Sequence, residues 1–109
     1  MTPEAQAVLR SYRTEKLTMT VAWARKILGN PAATPFDKYQ VCEDFVLLVR
    51  EMMRDLERLA ILIENLGEVL ALFPAARGAY EGGLPDELTT LQDQLLEVYG
   101  KARQEGLVK

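Results

Sequence analysis

The chain has 109 residues, 49% of them apolar and 27% charged, with a net charge of −3 and no histidine. That size and balance describe one ordinary globular domain. A single cysteine excludes an internal disulfide, and with it a secreted scaffold stapled by such bonds.

Thr2-Pro3-Glu4 is a helix start, with Thr as N-cap, Pro in the first turn and an acid behind it. The helix is predicted over residues 3–28, where Gly29-Asn30-Pro31 stops it. Val8, Leu9, Tyr12, Met19, Trp23, Ile27 and Leu28 are read as its inner face, which makes Trp23 a core residue. Leu17 to Trp23 mostly alternates apolar and polar and is rich in β-formers. A strand there finds no second strand to pair with, so helix is the better reading.

Thr34-Pro35-Phe36-Asp37 repeats the start signal, with an acid three residues after the cap as in a capping box. From it runs the stretch that dominates the chain, residues 35–73. Cys42, Phe45, Val49, Met52, Leu56, Leu59, Ile63, Leu66, Leu70 and Phe73 alternate spacings of three and four without a break, the signature of a packed helical seam. The flanking positions are apolar as well, with Asp55 the one charge among them, and even the outer positions carry Leu47 and Ile61. A helix apolar nearly all round has neighbours on several sides. As one helix it would be roughly 58 Å long, against a diameter of about 35 Å for a compact domain of this size. Either it breaks, most plausibly near Gly67, or the molecule is elongated. Cys42, on the seam, is a small core residue rather than a redox group.

Pro74 to Pro85 reads as a flexible connector with Tyr80 at its centre, an aromatic placed to anchor a partner or pack the turn. A third helix is predicted over 85–105, with Leu84, Leu88, Leu91, Leu95, Val98 and Ala102 as its stripe and Gly106 as its stop.

The expected fold is therefore all-α: one domain over residues 1–109, with three principal helices, the long second one central. Two shorter helices give each half of the long one a single partner, so self-association, as a homodimer, is expected to supply the missing neighbours. Leu47 and Ile61 are the expected contacts with a second subunit or partner.

Catalytic chemistry is poorly represented. Without histidine the chain lacks the commonest general base, the usual metal ligand and the Ser-His and Cys-His nucleophile pairs. The Glu-x-x-His motifs of ferritin-like di-iron bundles are impossible for the same reason. The all-α nucleotide pyrophosphohydrolases hold magnesium with acids three residues apart, and none of the sixteen acids here are so spaced. Three pairs four apart, Glu51/Asp55, Glu64/Glu68 and Asp93/Glu97, could hold a hard cation weakly but are better read as solvated surface acids. Gly82-Gly83 is a turn, not a phosphate loop.

Charge is unevenly placed. Residues 1–33 carry five basic and two acidic residues, residues 34–73 four and eight, so a basic first helix beside an acidic second one is expected. Arg50, Arg54 and Arg58 form a row at helical spacing, with local partners in Glu51, Asp55 and Glu57. A shorter row is Arg10, Arg13 and Lys16. No stretch approaches the ~18 uncharged residues of a membrane span, and the N-terminus has no apolar signal region.

The function these residues suggest is a non-enzymatic protein–protein interaction module, cytoplasmic and without cofactor, such as a small adaptor, assembly chaperone, inhibitor or complex subunit. Leu47, Ile61, Arg50, Arg54, Arg58 and Tyr80 are its candidate interface residues. The alternative is a nucleic-acid-associated protein using the arginine rows.

Overall fold

A computed structural model describes residues 2–80 and 82–106. Six helices account for most of them: α1 (Pro3–Leu28), α2 (Pro35–Met53), α3 (Leu56–Glu64), α4 (Leu66–Leu70), α5 (Leu72–Ala79) and α6 (Asp86–Gln104). Among the described residues there is no strand, and no single helix is long and apolar enough to cross a membrane. The residues that argued for a strand, Leu17 to Trp23, are helical.

Both N-terminal signals act as their chemistry dictates. The Thr2 hydroxyl accepts the Ala5 amide at 3.1 Å. At α2 the Thr34 hydroxyl accepts the Asp37 amide while the Asp37 carboxylate accepts the Thr34 amide, each at 3.1 Å, a complete capping box.

The long second helix is not one helix. It stops at Met53, and Asp55 adopts an extended conformation (φ −120°, ψ 126°). There its carboxylate accepts the amides of Glu57 at 2.9 Å and Arg58 at 3.4 Å. Those are first-turn donors that a continuous helix would bond to its own carbonyls, and a capping aspartate offers them another acceptor. The expected break near Gly67 falls instead at Asn65, whose side-chain amide donates to the Ile61 carbonyl at 2.8 Å. Gly67 itself lies inside α4. Beyond Asn65 the chain turns through 74° relative to α3.

Pro74 does not end a helix either. It is the third residue of α5, where no intrahelical partner awaits its missing N–H. The connector after α5 is correspondingly short, and Gly83 (φ +90°) donates its amide to the Tyr80 carbonyl at 3.3 Å. Gly106 (φ +74°) ends α6 in the left-handed conformation that glycine adopts without strain.

Folding back α3–α5 resolves the conflict of lengths. The molecule measures 46 × 29 × 21 Å with a radius of gyration of 14.7 Å, short of the roughly 58 Å of an unbroken helix. α1 packs against α2, α3, α4 and α5, while α6 packs against α2, α3 and α4. The core lies between them and draws on Leu17, Val21, Phe45, Val49, Leu62, Leu72, Phe73, Leu91 and Leu95, all buried. At its centre Phe45 and Phe73 meet edge to face, ring centroids 5.8 Å apart and planes at 72°, a geometry favoured by the ring quadrupoles. The second half of the apolar run thus covers the first from within one chain. Most of the run is buried in this way, with Phe36, Leu47 and Leu56 remaining exposed.

Truncating the central ring tests that arrangement. Phe45→Ala should cost about 3–5 kcal/mol of stability, the transfer term plus the cavity left behind, read from the midpoint of urea unfolding. A loss under about 1 kcal/mol would mean the ring is not enclosed.

Candidate functional site

α1 carries two apolar stripes, and the bundle uses the one of which the sequence reading named only Leu28. Leu17, Val21, Ala24 and Leu28 are buried, spaced by four, three and four. They form a run of aliphatic side chains with no charge inside it. Val8, Tyr12, Met19 and Trp23 face outward at 70%, 61%, 62% and 56% exposure. At 100° per residue these four lie within about 60° of one another, on the side of α1 away from the core. Trp23 is therefore a surface residue, not a core residue. The outer stripe is interrupted at its middle by Glu15 and Lys16, a charged pair that a packed core would not accept.

α2 lies beside α1 and runs back along it. Met19, Thr20 and Trp23 share a shallow groove with Val41 and Asp44, and Tyr12 and Lys16 share the next one with Leu48 and Glu51. The same outer side of α2 presents Phe36 and Leu47, both exposed. Tyr12, Met19, Trp23, Val8 and Leu47 are each more than half exposed; at roughly 200 Å2 apiece they leave on the order of 600 Å2 of apolar surface in water. That is at the upper end for a lone soluble domain. Trp23 is additionally covered on one side by the Lys26 ammonium, 5.6 Å from its ring centroid, a cation–π contact.

The candidate residues from the sequence divide among different places. Leu47 is exposed and belongs to this face, whereas Ile61 is buried in the chain's own core. Arg50 and Arg54 remain near the end of α2, but the break at Asp55 puts Arg58 on α3, so the three do not form one row. Arg58 is held by Glu51 at 2.7 Å and by Asp55 at 3.8 Å. Arg10 pairs with Glu64, and Arg13 with Glu57 at 3.5 Å. The acidic partner of basic α1 in these two pairs is α3, where α2 was expected. Such exposed pairs contribute little each, but together they tie α3 to its neighbours.

A recess of about 540 Å3 lies between α1 and α3 and is lined by Leu9, Arg10, Arg13, Leu56, Ala60 and Ile61 among others. Its two arginines are the ones already engaged by Glu64 and Glu57, so it offers no free cation pair for an anion. Among the described residues no cluster of three or more Cys, Asp or Glu is placed to hold a metal ion.

Tyr80 packs inward. Its hydroxyl donates to the Cys42 sulfur at 3.4 Å, closing the turn between α5 and α6 over α2. Burial pushes the Cys42 thiol above its ordinary 9.0, and the Tyr80 hydrogen bond opposes that rise only in part. Burial likewise pushes the Tyr80 phenol well above 10.0, with the neighbouring sulfur adding to it. The thiol is thus kept protonated and unreactive.

Comparison with protein-family models, curated proteins and solved structures finds no match to this chain.

Burial of Cys42 and Tyr80 makes stability sensitive to alkali. Both groups ionise at higher pH in the folded chain than in the unfolded one, so their contribution is complete below pH 9 and declines as pH rises above it. Urea midpoints should fall between about pH 9 and about pH 11, and fall less in Tyr80→Phe, which removes one of the two ionisations. Parallel declines in both proteins would remove Tyr80 from the account.

Proposed function

We propose that this chain is a non-enzymatic protein–protein interaction module that works through the outer face of α1 and α2. The observation that carries the reading is the exposed stripe of Val8, Tyr12, Met19 and Trp23 with Leu47 beside it. Aromatic residues and methionine are enriched at the centres of interfaces, where they provide large contact area at low entropic cost. Here they stand on two long capped helices that present them without any further folding step. The rest of the chain serves as scaffold, with α3–α6 covering the inner sides of α1 and α2.

The missing imidazole and the engaged arginines support the non-enzymatic part of the reading. A cytoplasmic setting agrees with one buried, protonated cysteine. Nucleic-acid association through arginine rows has weaker support, because Arg58 is on a separate helix and paired with two carboxylates.

A photo-crosslinking side chain placed in turn at Met19, Leu47 and Glu97, with Glu97 on the exposed side of α6, tests the reading in cells. Adducts at Met19 and Leu47 and none at Glu97 are expected. No adduct at the first two positions, or equal yields at all three, would end it.

A further inference from the structure

The outer stripe of α1 carries at its centre an acid and a base, Glu15 and Lys16, where its inner stripe carries no charge. Taken about a point midway between Glu15 and Lys16, Val8 mirrors Trp23, Tyr12 mirrors Met19, and Glu15 mirrors Lys16. Reversing the helix therefore puts an apolar residue level with each apolar residue and an acid level with a base. A twofold interface demands this self-complementarity, because one patch must fit its own copy.

We propose that the occupant of this face is a second copy of the chain, with the two α1 helices packed antiparallel about a twofold axis at Glu15–Lys16. This deepens the interaction-module reading above and rests on it. Val8 then meets Trp23 of the second copy, Tyr12 meets Met19, and Glu15 and Lys16 form two ion pairs across the axis. Lys26, which covers Trp23, comes beside the exposed Glu4 at the start of the other α1. A parallel pairing would instead set Glu15 against Glu15 and Lys16 against Lys16, a like-charge arrangement that disfavours it.

α2 continues the pattern. The groove shared by Tyr12, Lys16, Leu48 and Glu51 puts Leu48 level with the middle of α1. Leu47, exposed on the adjoining turn of α2, therefore flanks the axis. The apolar area is also of the right order. On the order of 600 Å2 per copy, with a rim of charged side chains around it, approaches the ~800 Å2 that each partner contributes to a standard stable interface.

The experiment uses three full-length chains: the native one, Glu15→Lys, and the double exchange Glu15→Lys with Lys16→Glu. All substituted side chains are exposed, so each should fold, as circular dichroism would verify. Light scattering and sedimentation from about 1 µM to about 1 mM follow the mass. Emission of Trp23, the only tryptophan, follows the face itself. The native chain should approach twice 12.3 kDa at high concentration, and its emission should shift to the red on dilution. Glu15→Lys should raise the dissociation constant about tenfold or more by turning both central ion pairs into repulsions. The double exchange should restore it.

A native mass of 12.3 kDa throughout overturns the pairing, as does a dimer indifferent to Glu15→Lys or one that the double exchange fails to restore. The crosslinks at Met19 and Leu47 separate the two levels of failure. Adducts to another protein from a monomeric chain leave the interaction surface standing without the self-pairing, whereas no adduct of any kind removes both.

Discussion

The carboxylate of Asp55 is the constraint on which the rest of this structure depends. It sits inside an apolar run that would otherwise continue as one helix, and it accepts the two amides that begin a new one. A capping interaction is worth about 1 kcal/mol, small beside the burial it directs. Once the chain turns there, Ile61, Leu62, Leu66, Val69, Leu72 and Phe73 can reach the side of α2 that bears Phe45 and Val49. Asn65 adds the second bend. Much of the apolar surface that seemed to need a second subunit is covered by the chain itself, Leu47 and Leu56 excepted.

Much of the architecture was legible in the residues. The all-helical class followed from the spacing of apolar positions, and the ends of α1, the start of α2 and the extent of α6 followed from caps and glycines. The second helix was misjudged because periodicity is blind to a break that preserves phase. Asp55 was visible as the one charge among flanking positions, and that anomaly was the available signal. Pro74 was read as a stop, although the first turn of a helix accepts proline as readily as the residue beyond a helix end does.

The surface was harder to see, for a different reason. α1 has apolar residues on two faces, and side-chain bulk alone ranks the face with Trp23 and Tyr12 first. Packing ranks them the other way. Leu17, Val21, Ala24 and Leu28 are compact enough to bring four neighbouring helices close to α1, and no charge interrupts them, whereas Glu15 and Lys16 break the aromatic stripe. Weighing interruption against bulk would have turned the helix correctly. Of the individual side chains proposed from sequence, Leu47 lies on the outer face, while Ile61 and Tyr80 are engaged within the fold.

The position of Cys42 has a practical consequence. The chain's only thiol is buried and accepts a hydrogen bond from the Tyr80 hydroxyl, where the end of α5 meets α2. An alkylating reagent meets that sulfur only after the turn has lifted away, so the rate of labelling is a clock for a single local opening rather than for loss of the whole fold. The protein carries its own probe of how firmly its last helix is latched to the remainder.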